Sequence, residues 1–436
     1  MRSMERYKEY KESTIPWLKD IPKHWEEVRI KFIANISKGN GITKLDVYED
    51  GDTPCVRYGE IYTKYNNSFD TCFSFTFKEM IQSPRFFEYG DILVSSTGEL
   101  VEEIGKSIVY VGSNKCLAGG DIIIIKHSQN PIFLNFALNT KYIQEQKSFG
   151  KAKLKVVHIS SSEIGSLFVA LPPISEQEKI VNYLEEKTSK IDEYVADKEK
   201  EIQLLNELKQ SIITKIVTQG LNPNVKMKEC KTLLTSKCPQ QWKVVRNKSF
   251  LSLTGEKVGE KAKEFVLLSL TTKGIIVRDI DSGKGKFPKE FDTYQAVKKD
   301  DLVFCLFDID ETPRTVGIVE TEGMLTGAYT ALKVNQDLAM PKYIYYYYLC
   351  VDKIKALKPY YSGLRKTVRA DKFLQIYMPL PPLSEQRSIV TYIDEKTAKI
   401  ESLISELQSE INYLKEYKQR LIADCVTGQI NVQNEL

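Results

Sequence analysis

The sequence predicts an α/β (α+β) protein laid out as mixed domain, long helix, mixed domain, long helix, and three observations predict it. The phrase LPPISEQEKIVNYLEEKT at Leu171 returns as LPPLSEQRSIVTYIDEKT at Leu380, 209 positions later, and the copies stay in register without a gap to Asn222 and Asn431. After each phrase, apolar residues recur every three or four positions among Glu, Lys and Gln, the pattern of a helix with a narrow apolar seam. Before each phrase lie short β-rich runs, DIIIIK, KSIVYV, EFVLLSL and VGIVE, separated by glycine-containing turns and followed by one or two helices.

A chain of 436 residues has room for two or three domains, each with its own core. With 42% apolar and 28% charged residues it has the composition of a soluble globular protein. The net charge of +4 is too small to argue for nucleic acid by itself, so such a case has to come from local clusters. The opening MRSMERYKEYKESTIPW has no apolar core and the longest apolar runs are too short to cross a bilayer, so no membrane is expected and the location is expected to be cytoplasmic. Eight cysteines show no two-residue spacing and read as small buried apolar groups in a reducing compartment; three histidines are too few for a His-based metal centre.

The expected order is an N-terminal segment (1–20), a mixed domain (21–170), a long-helix region (171–222), a linker (223–237), a second mixed domain (238–379) and a second long-helix region (380–436). The domains echo each other weakly: Pro22 to Arg29 resembles Pro239 to Arg246, GDILVSS resembles DDLVFCL, and LAGG resembles LTGA. A proline-led helix is expected over Pro131 to Gln146 and another over Pro341 to Lys355, the tyrosine run from Tyr343 packing one face with its hydroxyls at the surface. The double prolines force an extended approach, and Ser175 or Ser384 is placed to cap the helix that follows, with Glu178 completing a capping box in the first copy only. Helices of about 40 residues reach about 60 Å at 1.5 Å per residue, the length of a spacer. Their seam residues include Ile191, Val195, Ile202 and Leu205 in one, and Ile400, Ile404, Ile411 and Leu414 in the other.

No active site can be assembled. An adenine methylase places a polar residue before Pro-Pro and an aromatic after it, whereas Leu171 and Ile174, or Leu380 and Leu383, flank the prolines here. In DIDETP the carboxylates of Asp308, Asp310 and Glu311 lack the following lysine of a nuclease, Pro313 standing in its place, and a solvated loop is the simpler reading. The remaining candidates are two basic loops at matching places. KSFGKAKLKVVH offers Lys147, Lys151, Lys153, Lys155 and His158; KPYYSGLRKTVR offers Lys358, Tyr360, Tyr361, Arg365, Lys366 and Arg369. Cations, aromatics and a flexible glycine suit phosphate contact and base readout. The block of residues expected to touch DNA is Lys151, Lys153, Lys155, His158, Tyr360, Tyr361, Arg365, Lys366 and Arg369.

Both LPP(I/L)SEQ phrases, both long helices ending in VTQGLN and VTGQIN, and the PxxWxxxR openings at Pro22 and Pro239 together resemble the DNA specificity subunit of a type I restriction-modification system, over nearly the whole chain. That resemblance implies two target recognition domains, each reading half of a split DNA site, held apart by an antiparallel helix pair in a pseudo-two-fold repeat. It implies double-stranded DNA, two methyltransferase subunits and motor-nuclease restriction subunits as partners. Those partners would carry S-adenosylmethionine, magnesium and ATP; this chain, non-catalytic, would carry no cofactor. The domains differ between framework positions, so the half-sites are expected to differ. The rival readings are a methyltransferase or nuclease with its own specificity domain, and a coiled-coil adaptor that binds protein alone.

Overall fold

The computed structural model describes residues 5–151, 156–279 and 291–433. It divides into two compact units, Met1–Lys198 with Ser409–Leu436, and Glu199–Gln408. Each unit holds one mixed domain, the first part of one long helix and the last part of the other.

In the first unit a five-stranded sheet runs in the order Ala34–Lys38, Ile122–His127, Ile92–Ser95, Ser107–Tyr110, Ser68–Phe69, antiparallel except for its last pair. The DIIIIK run is its second strand, paired on both sides. Ile122 and Ile124 join a core with Leu93, Ile108, Phe69, Phe87 and Tyr110, while Ile123 and Ile125 on the opposite face are equally buried. Burial on both faces explains an unbroken apolar run where a half-exposed strand would alternate. In the second unit the strands Leu251–Leu253, Thr330–Val334, Leu302–Phe304 and Val316–Ile318 repeat the first four in the same order, all antiparallel. The duplication therefore covers the sheets, whose sequences show it only faintly.

Each domain closes on its own helix in the same way. Phe168–Leu171 pairs with Glu26–Arg29, and Tyr377–Leu380 pairs with Lys243–Arg246, so each LPP phrase leaves a two-stranded ribbon beside its domain's opening PxxW turn. The turn is anchored by a further hairpin, Tyr10–Glu12 with Asp20–Pro22 in one unit and Met227–Glu229 with Lys237–Pro239 in the other. In both, a lysine on the first strand, Lys11 or Lys228, donates to the carbonyl of the turn's tryptophan, Trp25 or Trp242.

The helix caps differ from expectation. The long helices span Ile174–Gln219 and Leu383–Val426, and the carbonyl of the second proline, not the serine, takes the first amides: Glu176 and Gln177 donate to Pro173 O, and Gln386 donates to Pro382 O. The glutamine of SEQ then turns back. Gln177 Nε2 donates to Pro172 O (2.9 Å) and Gln129 Oε1 (2.8 Å) while its Oε1 accepts from Asn130 N (3.0 Å); Gln386 Nε2 donates to Pro381 O (2.9 Å) and Leu338 O (3.1 Å) and its Oε1 accepts from Met340 N (2.8 Å). Each glutamine thus ties the start of a long helix to the start of the proline-led helix before it.

That proline-led helix is continuous in the second unit, Pro341–Lys353, but split in the first into Pro131–Leu138 and Lys141–Ser148. Asn139 causes the break by turning its side chain onto both backbone groups of Ser107, at 2.9 and 3.1 Å. Three of the five tyrosine hydroxyls do not reach the surface as expected. Tyr343, Tyr347 and Tyr348 are buried, Tyr343 donating to Val217 O and Pro379 O and Tyr348 accepting from Asn247.

Inside each unit the two helix segments run antiparallel. In the first, Asp192 pairs with Lys418 (2.6 Å) and Lys198 with Glu410 (3.1 Å), numbers rising in one helix as they fall in the other; in the second, Lys209 pairs with Glu401 (2.6 Å). Exposed pairs of this kind contribute about 0.2–1 kcal/mol each, against about 1.5–3 kcal/mol for each buried aliphatic side chain. The seam holds the helices and the charges set its register. Of the seam residues read from sequence, Ile191, Val195, Ile400 and Ile411 are buried and Ile202, Leu205, Ile404 and Leu414 half-buried; Leu407, which falls in the same apolar period, is buried too. Among the described residues no helix is long and apolar enough to cross a membrane.

Candidate nucleic-acid interface

Both basic loops follow the proline-led helices and lead back to the two-stranded ribbon. In the first unit the chain leaves helix Lys141–Ser148 through Gly150, whose φ of +73° suits glycine, and returns at strand Val157–His158, which pairs with Thr97–Gly98. Lys151 does not project. Its Nζ donates to His158 O (2.7 Å) and Glu163 Oε1 (2.6 Å), stitching the two ends of the loop together. Burial alone would raise the Glu163 carboxyl, but hydrogen bonds from Lys151 and Ser160 outweigh it and hold it below the usual range. His158 is exposed, its Nδ1 3.2 Å from Thr97 Oγ1, and helps line a cleft of about 330 Å³ with Lys38, Ser96, Ser160 and Glu163. Lys153 and Lys155 lie outside the described residues.

Lys147, counted among the loop's cations from sequence, is instead buried, 2% exposed, with Nζ donating to Gly105 O (2.6 Å) and Leu138 O (2.8 Å). Burial pushes its ammonium from the ordinary 10.5 down to about 7. The folded state then binds fewer protons than the unfolded between about pH 7 and 10.5, so the stability linked to Lys147 is lowest below pH 7 and rises through that window, by up to about 1.4 kcal/mol per pH unit. Urea unfolding of wild type and Lys147→Met at pH 7, 8 and 9 should show a wild-type slope that the variant lacks. Parallel pH profiles would refute this.

In the second unit the loop is a hairpin. Ser362 and Thr367 exchange backbone hydrogen bonds (2.9 and 3.0 Å), with Gly363 at φ +69° and Lys366 at φ +45° turning the tip. Val368 N donates to Leu306 O (2.8 Å) and Asp308 N to Arg365 O (2.9 Å), fastening the hairpin beside the DIDETP loop. The cations meet that loop's carboxylates. Arg365 pairs with Asp308 (2.6 Å), Lys366 and Lys358 with Asp310 (3.2 and 3.7 Å), and Tyr361 donates to Asp310 Oδ1 (3.1 Å). The hydrogen bond from Lys366 holds the Asp310 carboxyl below the usual range. Arg369 stands apart, paired with Asp371 (3.1 Å), and Tyr360 is partly exposed without joining the cluster.

Sequence reading thus overstated the free charge of these segments. Lys358, Arg365, Lys366 and Arg369 each sit within ion-pair distance of a carboxylate, so this hairpin is close to neutral and is a poor non-specific phosphate clamp. What it offers is fixed donors and, at its tip, a fully exposed Leu364. Asp308 and Asp310, which sequence suggested only as a rejected metal site, are the partners that reading missed; they lie about fifty residues from the cations they meet. Among the described residues no group of three or more metal-ligating side chains is assembled.

Comparison with known proteins matches these features to one family. The model of the type I restriction modification DNA specificity domain matches residues 22–209 and 306–413, about two thirds of the chain. The putative type I restriction enzyme MjaX specificity subunit of Methanocaldococcus jannaschii is 24% identical over 435 residues, covering 95% of each chain. A chain solved in work on complex assembly and conformational transition of the type I R-M system aligns with a TM-score of 0.70 at 14% identity, covering 94% of this chain and 99% of that one. The HsdS subunit from Thermoanaerobacter tengcongensis aligns with a TM-score of 0.50 at 15% identity, over 96% and 100%. At such identities the structural likeness speaks for the fold alone.

Proposed function

The chain belongs to the family of type I restriction-modification DNA specificity subunits, and from that premise we propose that it selects a split, asymmetric DNA target for a methyltransferase and a restriction enzyme. It is the non-catalytic subunit; chemistry belongs to its partners. The observation that carries the reading is a duplicated four-strand framework bearing two unlike loops. A repeated frame presents equivalent surfaces to equivalent partners, and unlike loops present different donors to different half-sites.

In this reading residues 21–170 and 238–379 are the target recognition domains, each reading double-stranded DNA. The helix regions 171–222 and 380–436 set the spacing between half-sites and dock two methyltransferase subunits, which bring S-adenosylmethionine; motor-nuclease subunits with ATP and magnesium join for cleavage. Co-expression with a methyltransferase partner, followed by mapping of modified adenines across the host DNA, tests it. One bipartite motif with two different halves and a constant gap is the expected result. A palindromic motif would remove the asymmetry, and a co-purified complex that leaves all DNA unmodified would remove the function.

A further inference from the structure

We infer that Arg365 reads a guanine base edge and that Asp308 positions it for that contact, an inference that rests on the DNA-recognition reading above. An exposed arginine ordinarily samples many rotamers. Arg365, 68% exposed, is held on three sides: Nε and Nη2 donate to Asp308 Oδ2 at 3.2 and 2.6 Å, the guanidinium lies 4.8 Å from the centre of the Phe307 ring, and the backbone carbonyl accepts from Asp308 N. The ordering of a long side chain is complete before any ligand arrives.

Asp308 occupies the side-on edge of the guanidinium, Nε with Nη2. The end-on edge, formed by Nη1 and the second N–H of Nη2, has no partner among the described residues. Two parallel N–H groups at that spacing match O6 and N7 of guanine in the major groove, the commonest specific contact of arginine with DNA. A phosphate also offers paired acceptors, but it would bring negative charge beside Asp308 and Asp310, and the neighbouring cations are already paired. A neutral base edge meets no such repulsion. The fully exposed Leu364 next to Arg365 suits the base-lined floor of a groove, where apolar side chains meet thymine methyl groups, better than a phosphate ridge.

The test uses the whole complex with its methyltransferase partner, offered a randomised DNA library from which methylated molecules are selected. Wild type should select a guanine in one half-site. Arg365→Ala should lose discrimination at that position alone, by about 10- to 100-fold, with the other half-site unchanged. Asp308→Asn should weaken the same position by less, and Arg365→Lys should not restore it, because an ammonium has no paired edge. Replacing that guanine with 7-deazaguanine, which lacks the N7 acceptor, should weaken wild type and leave Arg365→Ala unaffected; its wild-type arm needs no variant to fold. An even loss across all positions would mark a phosphate grip and overturn the assignment, as would an unchanged motif or an unaffected 7-deazaguanine target. A wild-type complex that selects no motif would instead defeat the specificity reading itself, and this inference with it.

Discussion

Trp25→Ala should lower the unfolding free energy of the first unit by about 3–5 kcal/mol, the largest single-residue effect we expect in that unit. Trp25 is fully buried, meets Phe133 and Tyr7 edge-on at ring separations of 6.4 and 6.1 Å, and donates from Nε1 to Glu176 Oε1 at 3.1 Å. Glu176 also accepts from Tyr7 and lies 2.8 Å from His24 Nε2, so one carboxylate at the head of a long helix binds the segment before the hairpin, the PxxW turn and the helix together. Trp25→Phe keeps most of the volume and removes the donor, and should cost about 1–2 kcal/mol from the hydrogen bond alone. The second unit supplies the control. Trp242 is equally buried but its Nε1 has no partner among the described residues, so Trp242→Phe removes an unsatisfied group and should cost less than Trp25→Phe. Urea denaturation of the three variants decides the matter, and equal costs for the two phenylalanine substitutions would contradict this account.

Gln177→Leu and Gln386→Leu should each cost about 2–4 kcal/mol although both gain apolar surface. Each glutamine is wholly buried, and its removal strands one backbone N–H and at least one backbone carbonyl, at about 1–3 kcal/mol for each buried group left unpaired. The regions that should loosen are the starts of the proline-led and long helices, which hydrogen–deuterium exchange would show as faster exchange at residues 130–134 or 340–344. Protection unchanged in both segments would mean that the glutamines do not clasp them.

The repeated phrase, the two long helices and the apolar strands were legible because each is a local pattern with a period. Other features depended on contacts between residues far apart. The glutamine clasp bridges about fifty residues, and the pairing of Arg365 with Asp308 spans a similar interval. Periodicity carries no record of either. Lys147 illustrates a different limit: composition counts it as a loop cation, and only the two carbonyls around it show that it is internal. The matching hairpins at Tyr10 and Met227 did leave a trace, since Lys11-Glu12 and Lys228-Glu229 stand 217 positions apart, as Trp25 and Trp242 do. Two residues were too short a signal to notice without the strands.

The composition of the first unit has a consequence for synthesis on the ribosome. Its hairpin accepts the far end of the chain: Asn431 N donates to Glu5 O (2.8 Å), Tyr10 to Gly428 O (2.7 Å), Gln429 Nε2 to Asp20 O (2.8 Å), and Val432 is fully buried. The second unit, Glu199–Gln408, is continuous in sequence and has all its parts once residue 408 has emerged. Domains generally fold as they are made, the N-terminal one first. Here that order is inverted: the half made first waits, with its tryptophan turn uncovered, for the segment after residue 408 to be translated, so a message cut short there spares the second domain and leaves the first unfinished.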